Sequence, residues 1–386
     1  MMPAADNSTT AKPLCYAQPG LLTPPPRCRQ ARVLHEKDLV GRSIDGCQRC
    51  VAHPNEKVHG FRCFPAVIII GVMKGGTTEL DDQARNHPHL HTANREQHFF
   101  RDARIKSPSS WHKYLWGDRA RGSGWGSLDI RNGTGLALEK TPSYFRSPHV
   151  LRGINKLLPS ARLVLLLREP AARAYSQFRM VMAFQHRDAR NDARSFHETA
   201  VKEVKQRCAS ALSPTTLSAC LGRLHACGKS ASDDSCAALA RKVYKETHQG
   251  YIERSVYADG IRSMYGIGWG CDRVAIIVSE QFKVQPTMVL RRLWKELGVP
   301  YDAVVSSDYQ GKAPGSRKKR NSGAGDPTYV AASPDMRNDT RHMLESFFRP
   351  DVYDVAGLVP ALHLQSWWPS YFHGSRSANA VRLSSM

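Results

Sequence analysis

A short β-branched run that ends in a glycine loop constrains this chain more than any other feature. It reads Pro65-Ala-Val-Ile-Ile-Ile-Gly71-Val-Met-Lys74-Gly75-Gly76-Thr77-Thr78. A buried strand, a turn rich in backbone N–H groups and a helix N-terminus make a phosphate cradle. The loop nearly fits the G-x4-G-K-[ST] pattern of nucleoside triphosphatases. Gly71 and Gly76 have the required spacing and Thr78 takes the hydroxyl position, but the lysine comes three residues early and Thr77 stands in its place. The loop is therefore expected to hold a phosphorylated ligand in a different way.

Val67 to Gly71 reads as a fully buried strand and Thr77 to Arg85 as the helix after it. Gly135 to Lys140, Ala161 to Arg168 and Val274 to Ser279 read as further strands. Helices are expected from Pro170, from Pro286 to Leu297 and from Met343 to Phe348, with proline at a first helical position in the first two. Apolar strands alternating with helices predict an α/β, P-loop-type three-layer fold, a central parallel sheet flanked by helices. Residues 1–60 read as an irregular Pro/Ser/Arg-rich stem, 61–372 as the main domain with a Cys-rich insert at 205–240, and 373–386 as a flexible tail.

Sites in such sheets form at the carboxyl ends of strands. Lys74, Glu139 and Arg168 occupy such ends. A nucleotide kinase commonly places an aspartate there to hold magnesium. Arg168 is a cation instead, with a planar fork suited to phosphate oxygens. Two positive subsites predict a nucleotide phosphorylated at two places and handled without metal.

Charge and cysteines bound the setting. Lysine plus arginine total 55 against 34 acidic residues, a net +21, which points to a polyanionic partner. Nucleic acid, an anionic polysaccharide and a doubly phosphorylated nucleotide all fit that charge. Cys208, Cys220, Cys227 and Cys236 lie among small residues, so two local disulfides and an oxidising compartment are expected, while Cys271 stands alone. Cys47-x2-Cys50 with His53, His59 and Cys63 leaves a zinc site open. Sequons at Asn7, Asn132 and Asn338 agree with a lumenal address. No stretch approaches the roughly 18 apolar residues of a membrane span, so membrane attachment is expected only through an anchor outside this sequence.

Four motifs in order carry a family resemblance. Ile70 to Thr78 is similar to the 5′-phosphosulfate loop of sulfotransferases that use 3′-phosphoadenosine 5′-phosphosulfate (PAPS), and Leu167 to Ser176 is similar to their 3′-phosphate motif. Glu139-Lys-Thr-Pro-Ser-Tyr-Phe145 resembles the segment bearing their catalytic base, and Arg95 to Phe100 a stretch lining their acceptor cleft. The chain looks most like the Golgi carbohydrate branch, the heparan sulfate sulfotransferases and the chondroitin N-acetylgalactosamine 4-sulfate 6-O-sulfotransferase. The resemblance implies in-line sulfuryl transfer to a carbohydrate hydroxyl or amine, in the Golgi lumen or secretory pathway, with PAPS as co-substrate, no required metal and no nucleic acid. It implies Lys74 and Glu139 as catalytic residues. Lys74, Gly75, Gly76, Thr77, Thr78, Arg168, Ser176, Tyr257 and Arg317 are implied as nucleotide ligands, and Arg95, His98 and Lys140 as acceptor ligands. A P-loop nucleoside or sugar kinase and a non-catalytic basic glycan-binding protein are the alternatives.

Overall fold

The computed structural model describes residues 64–93, 96–101, 136–185, 188–211, 216–227, 250–299 and 334–372, with strand segments at 32–33, 49–52 and 61–63 and positions 239 and 243. Its centre is a five-stranded, all-parallel sheet. Three short strands, β1 (Arg32–Val33), β2 (Arg49–Ala52) and β3 (Phe61–Cys63), form a separate small sheet. Part of the stretch expected to be irregular is thus paired. Cys50 stands opposite Cys63 in its register, while Cys47, His53 and His59 lie outside the described residues.

In the main sheet β4 (Val67–Gly71) lies between β6 (Leu136–Lys140) and β7 (Arg162–Leu167). The outer strands are β5 (Leu90–Thr92), beside β6, and β8 (Val274–Val278), beside β7. Strand alternation sorts the core into two layers. Val67 and Ile69 face α1 (Thr77–Arg85) together with Leu138, Val164 and Leu166. Ile68 and Ile70 face the other way with Ala137, Leu163 and Leu165.

That second face is covered by α2 (Pro148–Leu157), α3 (Pro170–Phe184), α4 (Asp192–Ala211), α5 (Leu217–Cys227) and α6 (Ala258–Gly266). The first face carries α1, α7 (Ser279–Val284) and α8 (Pro286–Glu296). The long α9 (Asn338–Leu358) returns to the second face, and α10 (Leu364–Trp367) follows it. The last helix expected from sequence is longer than Met343 to Phe348 at both ends, because its buried stripe continues past Pro350 through Val352 and Val355.

A disulfide between Cys208 and Cys220 ties α4 to α5. Closing a loop of that size stabilises the fold by about 3 kcal/mol. Cys236, expected in a second local bridge, lies outside the described residues. Cys271 is disulfide-bonded as well, which its isolated place in the sequence does not suggest. Among the described residues no helix is long and apolar enough to cross a membrane.

Candidate active site

The loop between β4 and α1 is pinned before it turns. Val72 N–H donates to the Leu166 carbonyl of β7 at 2.8 Å, and Gly75 N–H closes the turn onto the Val72 carbonyl at 2.9 Å. Gly75 therefore shapes the loop rather than offering its N–H outward. A Cβ there would sit 2.8 Å from the Leu166 oxygen, so the loop packs this closely on β7 only with glycine. Lys74 (φ 70°) and Gly76 (φ 91°) are both left-handed, and the chain enters α1 directly after them. The first N–H groups of a helix have no intrahelical acceptor, so α1 begins at Thr77 and Thr78 with donors directed along its axis.

Lys74 sits among cations. Burial first, then Arg168, Arg179 and Arg173, lower its pKa to about 8. Arg173 lies beneath the loop with no exposed surface. Its guanidinium donates to Ser255 Oγ at 2.6 Å, Gln177 Oε1 at 2.9 Å and the Met73 carbonyl at 3.4 Å, and also to the Tyr251 carbonyl. It supports the turn from behind.

Arg168 follows β7 and joins the loop directly, its Nη1 donating to the Lys74 carbonyl at 3.1 Å. Burial pushes its pKa down, while Glu280 and Glu169 oppose that shift. Its Nε is buried with no hydrogen-bond partner among the described residues. Beside it opens a cavity of about 440 Å³ lined by Arg168, Ser176, Arg179, Asp335 and Arg341 among others. Ser176 and Arg179 reach it from one face of α3, three residues apart.

The surroundings of Arg168 are braced. Glu169 caps α3, accepting from Ala171 N at 2.9 Å and Ala172 N at 2.7 Å, and its carboxylate also takes the Tyr371 hydroxyl. Glu169 N–H donates to Glu280 Oε1 at 3.2 Å, and Glu280 Oε2 accepts from Trp368 Nε1 at 2.9 Å. Tyr257, expected as a nucleotide ligand, is fully buried and donates its hydroxyl to the Arg168 carbonyl at 2.8 Å. It positions Arg168 instead of facing the cavity.

The end of β6 departs most from the sequence reading. Glu139 shares strand parity with Ala137, so it points into the second layer, and it has no exposed surface. Its Oε1 accepts from Tyr144 OH at 2.7 Å and Thr141 Oγ1 at 2.9 Å. Burial and the Glu139 charge push the Tyr144 phenol far above its ordinary pKa, so it stays a donor. The carboxylate that reaches solvent here belongs to Glu96, with its Oε1 3.5 Å from Lys140 Nζ and its Oε2 3.5 Å from His98 Nε2. His98 is held in a left-handed conformation (φ 53°), its N–H donating to Thr141 Oγ1 at 3.4 Å.

The structure thus brings Lys74, Arg168 and Ser176 together, and separately His98 and Lys140. Arg95 and Arg317 lie outside the described residues. Sequence reasoning alone does not single out Glu96, Arg179 or Arg341. Glu96 and Arg179 are within reach of local spacing, beside His98 and one turn beyond Ser176. Arg341 stands on α9, far along the chain, with no local signal.

Residues 65–214 match the family model described as Sulfotransferase family. Human heparan sulfate glucosamine 3-O-sulfotransferase 6 is 32% identical over 124 residues, 32% of this chain and 32% of that protein. Human heparan sulfate glucosamine 3-O-sulfotransferase 5 is 31% identical over 124 residues, again 32% of each. The matched part spans about a third of the length of these curated relatives. A sulfotransferase structure from Alicyclobacillus acidocaldarius aligns with a TM-score of 0.48 at 22% identity, covering 79% of this chain and 98% of that one.

Proposed function

We propose that this chain, whose residues 65–214 match the sulfotransferase family model, moves a sulfuryl group from PAPS to a hydroxyl or amine of a carbohydrate. The acceptor we propose is an anionic polysaccharide of the glycosaminoglycan kind, in keeping with the net +21 charge and the relatives named for heparan sulfate. The observation that carries the reading is the bond from Arg168 Nη1 to the Lys74 carbonyl. It couples a phosphate loop and a guanidinium-lined cavity into one receptor for a nucleotide with two separate anionic groups.

The bound nucleotide supplies an activated sulfuryl group whose leaving group is a phosphate. Lys74 and the N–H groups of Gly76, Thr77 and Thr78 hold the 5′ end and stabilise the negative charge that builds there. Arg168 and Ser176 hold the 3′-phosphate. Glu96 is the base in this proposal, since a base must reach the proton it takes and Glu139 is enclosed by its own donors. Lys140 and His98 orient the Glu96 carboxylate. Glu139 acts at one remove, holding Thr141, which accepts the His98 N–H.

In this proposal the domain extends over residues 61–372, and Arg317 is counted among the nucleotide ligands. The Cys208–Cys220 bridge supports a place in the secretory pathway, in the Golgi lumen.

Retention on immobilised adenosine 3′,5′-bisphosphate in EDTA tests the reading. Metal-independent retention there, with none on ATP, is the expected result. Retention that needs magnesium and favours ATP would replace the proposal with a kinase.

A further inference from the structure

We infer that Arg179 and Arg341 complete the 3′ subsite and make it selective for a phosphate monoester dianion. The inference rests on the nucleotide reading above. The cavity beside Arg168 takes one guanidinium from the end of β7, one from α3 and one from α9, together with the Ser176 hydroxyl and the Asp335 carboxylate. Three cations and one anion leave the lining at +2. A terminal phosphate monoester carries close to −2 near neutral pH, so the lining matches it in charge. A 5′-monophosphate without the second phosphate has nothing to place there.

Arg341 is placed for this role and loosely held. Its Nη1 is 3.8 Å from Glu169 Oε2, outside hydrogen-bond distance, and that carboxylate already accepts from Ala171 N, Ala172 N and Tyr371 OH. Turning from Glu169 toward an incoming phosphate therefore breaks no short bond. Arg179 comes from the same helix as Ser176, so one rigid element presents a hydroxyl and a cation to the same oxygen cluster.

The test compares two ligands across three proteins by calorimetry: adenosine 3′,5′-bisphosphate and adenosine 5′-monophosphate, on wild type, Arg341→Ala and Arg337→Ala. Arg337 lies one turn away, is exposed, pairs with Asp339 and does not line the cavity, so its replacement removes the same charge elsewhere. Arg341→Ala is expected to weaken the bisphosphate roughly tenfold or more, the size of one charged hydrogen bond, while leaving the monophosphate unchanged. Arg337→Ala is expected to leave the ratio of the two affinities as in wild type. An unchanged ratio in Arg341→Ala, or an equal fall in Arg337→Ala, overturns the inference. A wild type that does not prefer the bisphosphate overturns the nucleotide reading itself. Equal melting temperatures of the three proteins establish that α9 is intact, and Arg341→Lys is expected to recover part of the ratio.

Discussion

Arg168 at the end of β7 and Lys140 at the end of β6 lie two strands apart on the same edge of the sheet, yet they are held in opposite ways. Arg168 bonds the loop carbonyl of Lys74, its own carbonyl is fixed by Tyr257, and the next residue is tied through Glu280 to Trp368. Lys140 meets Glu96 across 3.5 Å, and Glu96 is exposed. One end is preorganised by buried groups that cannot relax cheaply. The other is a looser cluster, with Glu96 and His98 open to solvent and Lys140 mostly covered, whose geometry a bound acceptor can still adjust. Ion pairs of the second kind contribute little to stability, so their residues are free to serve chemistry.

The contrast breaks most visibly at Lys74. Replacing Lys74 by alanine is expected to lower turnover by about 10²–10³, the cost of one lost donor to developing charge. Single-turnover sulfuryl transfer to a desulfated polysaccharide measures it. A variant within threefold of wild type would show that the loop does not touch the reacting group.

The two carboxylates near β6 sharpen it next. Glu96→Gln is expected to cut turnover by about 10² or more, the usual contribution of a general base, with bisphosphate affinity retained. Glu139→Gln is expected to retain most of its turnover and to lose on the order of 1–3 kcal/mol of stability, because two buried hydroxyls lose their charged acceptor. Paired turnover and thermal unfolding measurements separate the two. The reverse pattern would restore Glu139 as the base.

These two residues also mark where sequence reading stops. The strand Val67–Gly71 and the helix Thr77–Arg85 have the bounds that apolar run and loop chemistry predict. Glu139 and Lys140 are adjacent, and in a strand adjacent residues face opposite layers. Which of them faces the cleft depends on register against β4, where Glu139 stands opposite Ile68 and Lys140 opposite Ile69. That pairing is a property of the folded sheet and has no local trace. Arg341 is harder still, since only the return of α9 across the second layer brings it to Arg168.

The smallest expected effect is on pH dependence, and it tests the crowding of cations at the preorganised end. Burial and three guanidiniums lower the Lys74 pKa to about 8. Below that pH the ammonium is charged and attracts an anion; above it the amine is neutral and does not. Bisphosphate affinity is therefore expected to fall as pH rises through 8, by at most about tenfold per unit for one linked proton. Lys74→Arg keeps its charge throughout this range, so its affinity is expected to stay level between pH 7 and 9.5 even where turnover suffers from the bulkier head. Titrating both proteins by calorimetry reads the difference directly. A wild-type curve as level as that of the arginine variant would mean that Lys74 keeps an ordinary lysine pKa, and that the guanidiniums around it are farther from its charge than their place beside the loop implies.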